Sequence, residues 1–594
     1  MKKTILSFIL LTVCHLSWGQ TFELRLLNHW DNPNGTVERG YAGRSIWKWD
    51  EIPANKKSMP QALKARYEEY GRINQQYGIN GTVLNNVNAK PIALSTPMLL
   101  KTKKIADILR PYGIKVYLSV NFASPKALGD LNTADPFDPK VQQWWKKKAD
   151  EIYRLIPDFG GFLVKANSEG EPGPMDYDRT HVDGANMLAA ALQPHGGIVM
   201  WRAFVYSAKG GDRANQAYEE FIHFDGQFAD NVIIQIKNGP IDFQPREPVS
   251  PLFFGLKKTK MMVEFQITQE YTGESIHTCF LAPMWQEFFQ TLKMGNASHP
   301  ALAQNGSPVL PNLIGIAGVA NIGDTPNWTA NDLAMANWYA FGRVANDPTT
   351  SSQEIASDFL REYYGTTDEG FIRPMTQLLL KSREAVVDYM MPLGLHHIFA
   401  ADHHYGPEPW CDRKGWREDW LPRFYHRADS IGLGFNRTDH DEPCLAGNAG
   451  SNNVGQYPEP LRTLYNNKET CPENLILWFH HVPWDYTMRN GLSLWDNLCY
   501  TYDRGVRQAS DFVKTWEEMK PYITSERYEQ QLRRFQRQAK DAQWWRDACL
   551  LYFQQFSRRP LPPDSPAFHY TWEQVKNYHL RMDNYTAADI DKLP

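Results

Sequence analysis

The sequence predicts an α/β fold, a (β/α)8 TIM barrel followed by a mainly α-helical C-terminal domain. From Thr21 to about residue 370, short apolar, β-branched runs alternate with longer amphipathic stretches, as in parallel βα units. Eight such runs can be counted, the number a barrel needs. An open doubly wound sheet uses the same local pattern, but no glycine-rich dinucleotide or phosphate-loop fingerprint is present to favour it. Beyond residue 370 the strand signal fades and aromatic-rich helical stretches take over.

The predicted strands are Phe22–Leu27, Gly81–Leu84, Lys115–Val120, Gly161–Val164, Ile198–Phe204, Val232–Ile236, Met261–Ile267 and Leu313–Val319. Between them, Gln61–Gln76, Leu99–Arg110, Lys140–Leu155 and Arg213–Phe228 repeat their apolar positions at three and four, which predicts helices. In the C-terminal part, Tyr528, Leu532, Phe535, Ala539, Ala542 and Cys549 keep to one helical face, with Glu529, Arg533 and Arg537 on the rest. Pro and Gly clusters at Tyr405–Pro409 and Pro560–Pro566 mark loops. The organisation expected is a leader at residues 1–19, a barrel at 20–370 and a helical domain at 371–594. No internal repeat or low-complexity tract interrupts it.

Lys2 and Lys3 precede an apolar stretch from Ile5 to Val13, and Ser17-Trp18-Gly19 follows as a small-x-small cleavage pattern. This predicts a signal peptide and an exported chain, periplasmic or secreted, beginning at Gln20. Cys14 raises lipid anchoring, but Leu11-Thr12-Val13 lacks a small residue beside the cysteine, which favours the soluble form. No other apolar run is long enough to span a bilayer. Six further cysteines, Cys279, Cys411, Cys444, Cys471, Cys499 and Cys549, form no CxxC pair and are compatible with one or two disulfides in an oxidising compartment.

The 594 residues carry 63 Lys and Arg against 67 Asp and Glu, a net charge of −4 that gives no electrostatic case for nucleic acid. Their 20 Trp and 28 Tyr supply flat faces of the kind that bind sugar rings, though tryptophan also fills cores. Parallel sheets put chemistry beyond the carboxyl ends of their strands. There the fourth strand runs into Lys165-Ala166-Asn167-Ser168-Glu169, the fifth ends near Arg202, the sixth leads to Lys237 and Asp242, and the seventh to Glu270. Taken singly, each of these charges is ordinarily a solvated or salt-bridged residue. Six of them on four consecutive strand ends point to a site. Hydrolysis of a glycosidic bond needs one protonated carboxyl and a second carboxylate. Glu169, Asp242 and Glu270 offer those groups, and Lys165, Arg202 and Lys237 would hold an anionic part of the substrate, which makes an acidic sugar the economical expectation.

The segments Asn28–Asn32, Val37–Arg44, Lys165–Pro174, Lys237–Pro248, Gln266–Gly273, His403–Trp410 and Tyr425–Asp429 resemble those of the glycoside hydrolase family 67 α-glucuronidases, in the same order and over nearly the whole mature chain. The resemblance implies an inverting hydrolase that removes α-1,2-linked glucuronic acid, or its 4-O-methyl ether, from the terminal xylose of a xylo-oligosaccharide, with no cofactor. It implies Glu169 as general acid, Asp242 and Glu270 as the pair activating water, and Lys165, Arg202 and Lys237 as ligands of the uronic acid. It also implies that Trp410 shapes the pocket, that Val87 faces the methyl ether, and that two copies pair through the helical domain. Family members usually begin with an additional β-rich domain, whereas here the leader runs almost directly into the first predicted strand.

The histidine pairs His396-His397, His403-His404 and His480-His481 invite a metal site, but adjacent histidines rarely share one ion and no HExxH motif occurs, so structural or substrate-contacting roles are expected. No GxSxG elbow supports a serine esterase. Two rivals remain: an exported carbohydrate-binding protein without turnover, and a retaining glycosidase acting on another acidic glycan.

Overall fold

Closure of the sheet rests on its first strand, β1 (Leu24–His29), which pairs in parallel with β2 (Gly81–Val83) on one side and β8 (Leu313–Ala320) on the other. The strands β3 (Lys115–Ser119), β4 (Gly161–Val164), β5 (Ile198–Arg202), β6 (Val232–Lys237) and β7 (Met261–Gln266) fill the circuit in chain order, all parallel. This closed barrel excludes the open sheet. The computed structural model describes residues 22–204, 211–300, 302, 309–320, 322–400, 403–439 and 450–578. The leader at 1–19, Cys14 and Cys444 lie outside the described residues.

The eight predicted strands are the eight observed, with β4 identical and the other ends displaced by at most two residues. The largest displacements are in β1, which runs two residues further on, and β5, which stops at Arg202 rather than Phe204. Strands β4, β6 and β7 are buried at every residue, the condition that makes parallel strands read as continuous apolar runs. At the start of β4, Gly161 has φ +141°, and a Cβ there would stand 2.0 Å from the Ile198 carbonyl of β5, so only glycine allows the two strands to close at that level.

The surrounding helices follow from their sequence signals. The helix Pro139–Leu155 has Asp138 accepting the Lys140 N–H at its N-cap and proline at its first position. Val141, Trp145, Ala149 and Ile152, spaced by three and four, turn its apolar face to the barrel. The helix Gln61–Tyr77 stops at Gly78, whose left-handed backbone returns its N–H to Asn74 and Gln75. The segment predicted as one helix at Arg213–Phe228 ends earlier, at Phe221, and continues as a 3-10 turn, Ile222–Phe224.

The C-terminal part is mainly helical, with Glu369–Met390, Leu494–Glu518 and Ser525–Ser557 packed on one another. A two-stranded ribbon, Gly432–Leu433 with Val482–Pro483, was not predicted there. In the helix Ser525–Ser557, Tyr528, Phe535, Ala542 and Cys549 of the predicted stripe are buried and Leu532 and Ala539 half-buried; on the polar side Glu529 and Arg533 are exposed, but Arg537 is buried, and so are Gln531, Arg534, Gln538 and Asp541. That polar face meets the loop after β7. Arg534 donates to the Ser275 and Ala330 carbonyls, Gln538 exchanges two hydrogen bonds with the Thr278 backbone, and Asp541 Oδ2 accepts from Arg537 at 2.9 Å, beside His277 at 3.0 Å and the Tyr405 hydroxyl. Cys279, Cys411, Cys471, Cys499 and Cys549 are free and buried, so among the described residues the disulfides entertained from the sequence are not formed.

Burial opposes the charge of Asp541, but Arg537 and His277 outweigh it and hold its carboxyl below the ordinary value. Asp541→Ala is expected to destabilise the chain by about 3–5 kcal/mol, because it strands a buried guanidinium. A depressed carboxyl contributes stability above its unfolded value of about 3.9, and that contribution disappears as pH falls through the folded value. The gap in thermal midpoint between the unsubstituted chain and Asp541→Asn should therefore be full near pH 6 and narrow below about pH 4.

Candidate active site

At the carboxyl ends of the strands lies a cavity of about 260 Å³. Most barrel residues reach it from a strand end: Trp30, Glu38 and Arg39 after β1, Val87 and Asn88 after β2, Lys165 and Glu169 after β4, Arg202 and Phe204 from β5, Lys237 and Asp242 from β6, and Glu270 and Tyr271 after β7; Arg213 reaches it from the start of the helix Arg213–Phe221. The helical part closes the opposite wall with His397, Phe399, His404, Trp416 and Trp420.

The loop after β4 is shaped by its asparagine and acidic residues. Asn167 has φ +51°, accepts the Met175 N–H and donates to Asp176, whose other oxygen takes the Gly173 N–H. Glu169, at φ +50° and 41% exposed, thereby stands on a fixed turn at the mouth. Lys165, nearly fully buried, donates to Glu169 at 2.6 Å and to Asn88 Oδ1 at 2.7 Å; Asn88 donates in turn to Glu38.

The other two predicted cations are also paired with carboxylates. Arg202 makes a two-pronged contact with Glu264, at 2.8 and 2.7 Å, and Gln235 donates to the same carboxylate. Lys237 donates to Asp242 at 2.8 Å. Lys165, Arg202 and Lys237 all lie near the ring of Phe204, at 5.2, 4.9 and 3.7 Å from its centre. Tyr271 donates its hydroxyl to Asp242 at 2.7 Å and stacks on His404. Glu270 is met by Arg39 at 2.7 Å, His404 Nδ1 at 2.9 Å and Gln266 at 2.8 Å.

Burial opposes charge on both Asp242 and Glu270, and in both the partners prevail. Lys237, Arg213 and Tyr271 hold Asp242 well below the usual carboxylate range, while Arg39 and His404 lower Glu270. Burial, only partly offset by Asp242, pulls Lys237 below its ordinary value. His397 is pushed well below its ordinary value by burial and by Arg213, so it is neutral at pH 7. Two ionised carboxylates thus share a pocket with an exposed third, Glu169, on its rim. This arrangement can polarise a water on one side and offer a proton donor on the other.

Seven of the eight residues named from the sequence, Glu169, Asp242, Glu270, Lys165, Arg202, Lys237 and Val87, line this cavity. Trp410 does not. Its ring packs edge-on against Trp572 at 5.1 Å and near Tyr552, in a satellite apolar cluster, and the tryptophans of the cavity wall are Trp30, Trp416 and Trp420. Sequence reasoning assigned no role to Arg39, Arg213 or Tyr271 and expected of His397 and His404 only structural or substrate-contacting roles; the fold brings all five to the cavity. Glu264 did leave a signal: it is a charge inside the apolar run Met261–Gln266, and such a residue needs a buried partner.

A closed (β/α)8 barrel with paired acidic and basic groups at its strand ends defines a barrel enzyme's site. The chain belongs to glycoside hydrolase family 67: the family's middle-domain model matches residues 13–328 and its C-terminal model residues 329–565. It is 42% identical over 579 residues to "Alpha-glucuronidase A" of Emericella nidulans, covering 95% of this chain and 66% of that one. "Alpha-glucuronidase" of Hypocrea jecorina is 40% identical over 552 residues, covering 90% and 63%. The chain spans about two thirds of the length of these curated relatives.

Arg202→Met would leave Glu264 as an unpaired buried carboxylate and is expected to cost about 3–5 kcal/mol of stability. Adding Glu264→Leu should restore most of it, since a buried ion pair replaced by apolar groups is often near neutral. Urea unfolding of the two single variants and the double variant measures this coupling.

Proposed function

We propose that the chain is an α-glucuronidase, a hydrolase that removes α-1,2-linked glucuronic acid or its 4-O-methyl ether from the terminal xylose of xylo-oligosaccharides with inversion. The observation that carries the reading is the ring of cation–carboxylate pairs in one cavity of a family 67 chain: Lys165 with Glu169, Lys237 with Asp242, and Arg39 with Glu270. The relatives' names support the activity.

In this reading the carboxylate of the sugar takes the ammonium of Lys165, with Lys237 and Arg202 beside it. Glu169 is thereby released from its contact with Lys165 and, protonated, donates to the leaving oxygen of xylose. Asp242 and Glu270, kept ionised by Lys237 and Arg39, draw the proton from a water that attacks the anomeric carbon from the opposite face. The bond to xylose breaks as the bond to water forms, and the configuration inverts. An inverting pair stands about 6.5–9.5 Å apart to admit that water, and this separation is part of the proposal. Val87 faces the 4-O-methyl group. Export by the leader at 1–19, to the periplasm or medium, and pairing of two copies through the helical part belong to the same reading.

Time-resolved NMR of a 4-O-methylglucuronosyl xylotriose tests it: β-glucuronic acid should be the first product. An α product would instead support the retaining rival, and no release would support the binding protein. Glu169→Ala should lose about 10²–10⁴-fold in turnover of this natural substrate, the usual contribution of a general acid. It should largely spare an aryl glucuronide, whose leaving group needs little protonation. Equal losses on both substrates would remove Glu169 from the acid role.

A further inference from the structure

The loop between β6 and the next helical turn carries a carboxylate that the scheme above does not use. Glu247 does not line the active cavity; it faces a separate one behind the loop, with Arg246, Glu287 and Arg383 among its lining. Both of its oxygens point forward into the backbone that bears Asp242. Oε2 accepts the Ile241 N–H at 3.0 Å, and Oε1 accepts those of Asp242 at 2.9 Å and Gln244 at 3.4 Å. Three consecutive-turn N–H groups thus converge on a single side chain.

Further contacts make this a clamp rather than an incidental cap. The space the carboxylate occupies is the space a side chain at residue 239 would fill: a Cβ on Gly239 would lie 2.3 Å from Glu247 Oε2 and 2.7 Å from its Cβ. Gln244, held by its N–H to Glu247, uses its side chain to accept the His397 N–H at 3.0 Å and to meet the ring Nδ1 at 3.2 Å, which ties the loop to the helical wall. Asp242 itself folds back so that Oδ1 accepts the Phe243 N–H at 3.0 Å, between residues whose backbone is already fixed.

We propose that Glu247 is a positioning residue for Asp242: by gathering the N–H groups of Ile241, Asp242 and Gln244 it sets the direction of the Asp242 carboxylate toward the attacking water. The inference rests on the reading of Asp242 as a member of the water-activating pair. When ionised, the carboxylate is acceptor-only on both oxygens and can take all three N–H groups. Glutamine would keep one acceptor for Asp242 and Gln244 but turn its NH2 against the Ile241 N–H. Burial pushes the Glu247 carboxyl up to about 8 against the pull of the N–H bonds, and a proton on Oε2 still leaves Oε1 holding Asp242 and Gln244.

A misplacement of about 1 Å at a reacting group costs on the order of 10²-fold in rate. Glu247→Ala should therefore lower kcat by about 100-fold with KM changed by less than about threefold, and Glu247→Gln should fall between it and the unsubstituted chain. Gly239→Ala, which keeps the Glu247 side chain but displaces it from its seat, should reproduce the kcat loss. The double variant should lose no more than either single one. In both cases deuterium exchange should accelerate at residues 241–244. The proposal is overturned if Gly239→Ala and Glu247→Gln both keep kcat within about threefold at an unchanged thermal midpoint, or if the loss falls on KM alone. Should the unsubstituted chain release no uronic acid, the reading of the function has failed. Exchange at 241–244 then judges the clamp by itself, and rates unaltered by Glu247→Gln would overturn it.

Discussion

The mouth of this barrel is governed by one constraint: a carboxylate taken out of water must be met by a cation or by hydrogen-bond donors, because its isolated charge is too costly to bury. Each buried acid in the site obeys it. Glu264 is met by Arg202 and Gln235, Asp242 by Lys237 and Tyr271, and Glu270 by Arg39, His404 and Gln266. Arg202 and Glu264 come from β5 and β7, alternate strands whose inward side chains share one layer of a barrel, which is why a charge on one can answer a charge on the other.

Compensation also decides how the cavity treats an anion. Five cations and four carboxylates line it, and Glu264 behind Arg202 brings the two signs into balance. The basic side chains are therefore not a bare positive patch waiting for a sugar acid. An incoming carboxylate has to compete with groups already in place, and Lys165 is the cation best suited to exchange, because its partner Glu169 is the most exposed acid of the set. The pairs buried deeper hold fixed orientations and give the site its shape.

Much of this was legible in the sequence, and the reasons are physical. Strands buried on both faces announce themselves as apolar runs, and the strand-to-loop transitions fix which residues stand at the mouth, so seven of the eight named site residues come together. What the sequence could not carry is direction. Trp410 sits in a matching motif, yet its side chain turns to Trp572 and Tyr552 because those rings offer it an apolar bed. Arg537 lay on the helix face expected to meet solvent, and only the docking of that helix on the β7 loop shows that its partner is Asp541. Arg39 and Glu270 are separated by most of the barrel in sequence, and no local pattern links them.

The same docking explains why the helical part is more than a cover. Glu270 and Tyr271 begin the segment that continues through Gly273, where His277 fills the space a Cβ would need, to Ser275, Thr278 and the helix at 282. Those later residues are bonded to Arg534, Gln538 and Asp541 of the long helix, and Tyr405, whose hydroxyl bonds directly to Asp541 and His277, belongs to the loop that supplies His404 to Glu270. Glu270 is thus supported from both sides by one polar cluster: through its own chain, and through the histidine that touches it. Asp242 is held from beneath its loop by Glu247 and from the Glu270 side by the Tyr271 hydroxyl. The two carboxylates follow adjacent strands, β6 and β7, and each is tied to the helical wall by its own route, Glu270 through His404 and the Asp242 loop through Gln244 and His397, so the spacing between them depends on how the helical part is seated on the barrel.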